Sequence, residues 1–107
     1  MNSPAYIHNR ASAAAAEACA AYLAANPNQW YPCGFAWVTI KPARGPYVAY
    51  LKSIKEGSKG YNGGWEIWNP SGNRTQCMDA KMAGARAYAA EVVRLGGPNM
   101  NVGSRMD

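Results

Sequence analysis

Phenylalanine and histidine each occur only once in these 107 residues, and six acidic residues stand against eleven basic ones. The scarcity of histidine restricts chemistry first. A Ser–His or Cys–His nucleophile pair would have to recruit His8, which precedes the first expected helix. Three cysteines, Cys19, Cys33 and Cys77, form no CxxC and leave an odd count. That argues against a disulfide framework and a Cys/His zinc site, and for a reducing compartment. The few acidic residues form no cluster of the kind that holds a magnesium ion. Glu17 and Glu91 fall on expected helix surfaces, and no spacing rule brings Glu66 to Asp79. Gly57 to Gly64 does not match GxxxxGK[ST] and does not lead directly into a helix, so a phosphate loop is absent. No apolar run approaches the roughly 18 residues of a membrane span. The alanine-rich stretch Ala11 to Ala25 is too weakly apolar for a signal core, is interrupted by Glu17, and lacks a basic start. The expectation is a non-enzymatic chain with no cofactor, no metal and no membrane partner.

What is present is a soluble-type composition for one small domain spanning 1–107, with 1–10 and 103–107 loose. Apolar types make up 49%, but alanine accounts for 20 residues, so the bulk comes from four Trp, seven Tyr and a thin supply of Leu, Ile and Val. The net charge is +5. Most of it sits between Lys41 and Lys59, where Lys41, Arg44, Lys52, Lys55 and Lys59 face only Glu56, a balance of five minus one, or +4. Such a segment either attracts polyanions or is a solvated face that keeps a small protein soluble.

Periodicity gives the elements. Ser12 can cap a helix running to about Ala25, stopped by Asn26-Pro27, with Cys19, Tyr22 and Leu23 as its bulk. Its smooth alanine surface suits close approach to a sheet, another helix or a second copy of the chain. Asn28 to Gly34 reads as a connection. Phe35 to Lys41 reads as a strand with Phe35, Trp37 and Thr39 on one side and Ala36, Val38 and Ile40 on the other. Both sides are apolar, which predicts a central strand or one covered twice. A second helix starts at Pro46 with a stripe of Tyr47, Tyr50, Leu51 and Ile54 and stops at Gly57. Trp65 to Asn69 is a second strand, with Trp65 and Ile67 opposed to Glu66 and Trp68. A third helix from about Gln76 to Leu95 carries Met78, Met82, Ala85, Ala89, Val92 and Val93, and the residues around Met100 to Val102 suit a short further strand. The fold class is therefore α+β: a two-layer domain in the order α-β-α-β-α(-β), with a two- or three-stranded sheet packed by helices.

Basic and aromatic residues interleave from Tyr31 to Trp68. Rings on a sheet or loop can stack on bases while Lys and Arg neutralise phosphates. A core short of Phe, Leu and Ile must also be built from Trp and Tyr, and Trp37, Tyr47, Tyr50 and Trp65 are assigned there. Trp68 beside Glu66, and Tyr61 among glycines, are better placed for exposure. Lys59-Gly60-Tyr61 beside Gly63-Gly64 lets backbone approach a ligand closely. The candidate nucleic-acid or anion-binding set is Lys41, Arg44, Lys52, Lys55, Lys59, Tyr61 and Trp68.

The stretch Tyr31-Pro32-Cys33-Gly34-Phe35-Ala36-Trp37-Val38, then Ile40-Lys41-Pro42 and Leu51-Lys52, resembles a set of small proteins from tailed bacteriophages. The resemblance continues through Tyr61, Gly63-Gly64, Met78-Asp79, Lys81 and Ser104-Arg105-Met106-Asp107, and is looser in the alanine-rich helix. It implies a phage origin and a site of action in the cytoplasm of the infected bacterium, and no mechanism. The functional expectations are a nucleic-acid-binding module for DNA or RNA, or a protein-binding inhibitor or accessory factor aimed at a host enzyme or defence system. A nucleotide-signal sponge shares the same chemistry, and a homodimer is compatible with each.

Overall fold

A computed structural model describes residues 2–27 and 31–107. It contains α1 (Pro4–Ala25), β1 (Gly34–Ile40), α2 (Pro46–Ser53), β2 (Ser58–Lys59), β3 (Trp65–Trp68), α3 (Met78–Arg94) and β4 (Asn101–Met106). The class is α+β, as the periodicity predicts, but the sheet has four strands rather than two or three, in the antiparallel order β2-β3-β1-β4. The first part of the expected connection, residues 28–30, lies outside the described residues.

The largest departure is at the start. α1 begins at Pro4, before the expected Ser12 cap, because Ser3 and Pro4 supply the same signals earlier. The Ser3 hydroxyl accepts the Tyr6 N–H at 3.2 Å, and Pro4 occupies the first turn. Ile7 and His8 therefore lie on a helix, and Ile7, Ala11, Ala15 and Cys19 form its buried stripe at i, i+4 steps. Ala15 lies against Gly84 of α3 and Cys19 against Ala80, so the two helices run antiparallel. An alanine Cβ at Gly84 would stand 3.1 Å from the Ala15 carbonyl oxygen, so the absence of a side chain sets how close the helices come. The buried small-residue stripe of α1 is thus occupied by α3, while Ala13, Ala16 and Ala20 on the other side of the helix are exposed.

α3 lies on β1 and β4. Its buried face is Ala80, Lys81, Gly84, Ala85, Tyr88, Ala89 and Val92, while the expected Val93 is exposed. Lys81 is the one buried charged residue among those described, and its ammonium donates to the Gly34 carbonyl at 2.8 Å. In α2 the helix ends at Ser53, so Ile54 is a solvent-exposed cap and Val48 takes its expected place beside Tyr47 and Leu51. The tail of the chain is not loose at residues 103–106: β4 pairs with β1 from Asn101 opposite Thr39 to Met106 opposite Gly34. The glycine-rich segment contributes β2, paired Ser58 to Glu66 and Lys59 to Trp65. The three cysteines are free thiols, with Cys19 and Cys77 buried and Cys33 exposed. No helix among the described residues is long and apolar enough to cross a membrane.

Candidate functional site

The alternation of β1 divides the sheet into two unlike faces. Ala36, Val38 and Ile40 are buried, and with Ile67 they join the core formed by Ile7, Ala11, Val48, Leu51, Tyr88 and Val92. The other set, Phe35, Trp37 and Thr39, is only half-buried. Register places Trp68 and Glu66 of β3, and Arg105, Gly103 and Asn101 of β4, on that same second face. None of these residues belongs to the helix-packed core.

The rings on this face are ordered. Trp37 and Trp68, directly opposite in register, stack with centroids 4.6 Å apart and planes 21° from parallel. Phe35 meets Trp68 edge-on at 5.8 Å. Both geometries suit the ring quadrupole. The Trp37 indole lies across Gly103, where a Cβ would come within 2.6 Å of its Cε2, so only glycine admits it. Trp68 is the outer ring of the pair and 43% exposed. Its indole N–H donates to Glu66 Oε1 at 3.0 Å, which fixes both side chains. Glu66 in turn lies over Gly60, whose missing Cβ would stand 2.8 Å from Oε2. Arg105 and Lys81 flank the Phe35 ring at 5.6 Å and 5.4 Å.

These residues bound a cavity of about 310 Å³, lined by Trp37, Thr39, Trp68, Glu66, Asn101 and Arg105 from the sheet and by Lys41, Tyr61, Asn62 and Gly64 from its rim. Tyr61 is 99% exposed at the tip of the β2–β3 loop. Glu66 is the sole acidic residue of the lining, beside the cations Lys41 and Arg105.

The seven residues expected to form a site are not brought together. Lys41, Tyr61 and Trp68 border the cavity on the aromatic face. Lys52 sits elsewhere, with its ammonium over Trp65, 5.2 Å from the ring centroid. Lys59 pairs with Trp65 in register and shares its side of the sheet, opposite to the cavity. Lys55 follows α2 in a left-handed backbone conformation, φ 59°. Arg44 lines a separate, mostly apolar cavity of about 300 Å³ with Ile7, Pro46, Tyr47 and Gly97. Conversely, Trp37, expected in the core from its strand position, belongs to the aromatic face, where Phe35, Asn101 and Arg105 join it from outside the expected set. The alternation of Phe35, Trp37 and Thr39 was the available signal. Arg105 needed the length of β4, which the polar tail conceals.

His8 also lies differently from its expected loose position. Its Nδ1 is 2.7 Å from the Tyr88 hydroxyl, which is itself 2.7 Å from the Tyr47 hydroxyl. Burial lowers the His8 pKa below its ordinary value and pushes the Tyr47 phenol up to about 12. Burial, reinforced by Tyr47, raises Tyr88 further. The three side chains form one hydrogen-bonded network that joins α1, α2 and α3. Among the described residues no group of three His, Cys, Asp or Glu side chains could hold a metal ion. No known protein family, curated protein or solved structure matches this chain.

Proposed function

We propose that the chain is a non-enzymatic, phage-derived binding protein that takes single-stranded nucleic acid on the aromatic face of its sheet, in the cytoplasm of the infected bacterium. The observation that carries this reading is the ordered Trp37–Trp68 stack on the sheet face opposite the core, flanked by Lys41 and Arg105. Rings left at the surface cost hydration, and a contiguous group of them marks a binding surface. A base stacked on such a ring contributes about 1–3 kcal/mol whatever its identity. The partner must be unpaired, because in a duplex both faces of each base are already stacked.

Titration of intrinsic tryptophan fluorescence with single- and double-stranded oligonucleotides at two salt concentrations tests this. Saturating quenching by single strands, weakened by salt, is the expected result. With two phosphates neutralised, the slope of log affinity against log salt is about −1.4 for a single strand. Lys41→Glu with Arg105→Glu abolishes that slope, and Trp68→Ala lowers affinity about tenfold or more. No quenching at low salt overturns the reading.

A second reading is favoured by one observation: Lys52 and Lys59 gather around Trp65, on the opposite side of the sheet from the cavity. A cationic group whose one tryptophan is already covered by the Lys52 ammonium suits an acidic protein surface, as an inhibitor of a host enzyme or defence system would need. Affinity capture from nuclease-treated bacterial lysate separates the two, since a stoichiometric protein partner lost on Lys52→Glu with Lys59→Glu belongs to this reading alone.

A further inference from the structure

The cavity on the aromatic face contains a group that phosphate binding does not require and that ought to oppose it: the Glu66 carboxylate. Its position is specified from three sides. Oε1 is held by the Trp68 indole N–H at 3.0 Å, so the carboxylate sits at the edge of the outer ring of the stack. Oε2 lies over Gly60, where any larger residue would displace it. Across the sheet Glu66 pairs with Thr39, which also lines the cavity. No described residue forms a hydrogen bond or ion pair with Oε2, and Lys41 and Arg105 stop short of ion-pairing with the carboxylate.

A base stacked on Trp68 therefore brings its edge toward a fixed acceptor pair with one oxygen free. We infer that the cavity is a nucleobase slot selective for guanine, with Glu66 as the specificity residue; this rests on the nucleic-acid reading above. The chemistry follows from the donors each base offers. Guanine alone presents two adjacent donors on its Watson–Crick edge, N1–H and the 2-amino group, which match the two oxygens of a carboxylate. Adenine and cytosine offer one amino group beside a bare ring nitrogen, whose lone pair would face the second oxygen. Uracil and thymine offer one N–H between two carbonyls, so both flanks repel. Charge-assisted, bidentate recognition discriminates best, because a mismatched base leaves a buried acceptor unpaired. Lys41 and Arg105, at the rim, then hold the flanking phosphates, and Tyr61 is placed to cover the base from the loop side.

The test uses the intact chain and thymidine pentamers carrying one central guanine, adenine, cytosine or hypoxanthine, read by tryptophan quenching. Guanine is expected to bind about tenfold tighter than adenine or cytosine, in line with the discrimination of one bidentate pair. Hypoxanthine keeps N1–H and loses the 2-amino group, so it should forfeit most of that advantage without any change to the protein. Glu66→Gln, which turns a donor toward the base, should bring guanine down to the level of the others while the salt slope is retained. Equal affinity for all four pentamers, or a guanine preference that survives in Glu66→Gln, overturns the slot and leaves general single-strand binding standing. Failure of every pentamer to quench overturns the nucleic-acid reading itself.

Discussion

The two faces of β1 are built from the same strand and both are apolar, yet they have opposite fates. On one, Ala36, Val38 and Ile40 are at most 2% exposed. On the other, the larger Phe35 and Trp37 remain half-buried. The buried face uses small and β-branched residues because α3 comes down on it and shares its core through Ala85 and Ala89, and a close helix leaves no room for indoles. The aromatic face spends its rings on one another, stacking Trp68 on Trp37 and Trp37 on Gly103. A core and a platform can thus be made from adjacent residues, and size separates them more clearly than hydrophobicity does.

Substitutions on the two sides should separate stability from binding. Leu51 is fully buried beneath the sheet, and Leu51→Ala should cost about 2–5 kcal/mol in denaturant unfolding. Trp68→Ala, at the surface, should leave the unfolding midpoint close to that of the parent while lowering oligonucleotide affinity about tenfold or more; a large loss of stability there would mean that the aromatic face is a second core. Tyr88→Phe comes next, because it strips the shared partner from both His8 and Tyr47, at a cost of about 1–3 kcal/mol.

The same network gives a pH signature. The folded state lowers the pKa of His8, so below its ordinary value of 6.5 the unfolded chain takes up the proton first, and stability falls as pH drops. For Tyr47 the shift is upward, so its contribution is complete below pH 10 and is lost as pH rises toward about 12. Thermal melts across pH should show both limbs, and His8→Gln should flatten only the acid one. A subtler effect is expected at Gly103→Ala, whose Cβ must push the Trp37 indole aside and tilt the stack; oligonucleotide affinity should fall several-fold, approaching but not exceeding the Trp68→Ala loss. The smallest change belongs to Lys52→Glu with Lys55→Glu. Lys52 is engaged at Trp65, away from the cavity lining, so this pair should weaken oligonucleotide binding far less than Lys41→Glu with Arg105→Glu. An equal loss would return the site to the Lys41–Lys59 segment as a whole.

Local chemistry made much of this legible. Pro46, Asn26-Pro27 and Gly96-Gly97 punctuate the helices as their residue types require. The opposition of Glu66 and Trp68 to Trp65 and Ile67 follows from a period of two, and register bears it out. The strand at Asn101–Met106 was only partly legible, because Asn, Gly, Ser and Arg have little strand preference and are held there by pairing with β1. The basic segment misled for a related reason. Lys41, Lys52 and Lys59 are near in sequence, but a strand end, a helix and a returning strand point them to different places.

The sequence by itself determined the class, the three helices, β1, β3 and the division of β1 into two residue sets, because propensity, capping and alternation act over a few neighbouring residues. Which set would be covered, and which residues would meet on the other, was decided only by the tertiary structure. α1 and α3 choose their side of the sheet through contacts between segments far apart in the chain, and Arg105, Trp37, Glu66 and Tyr61 share a cavity only because β4 and β3 flank β1.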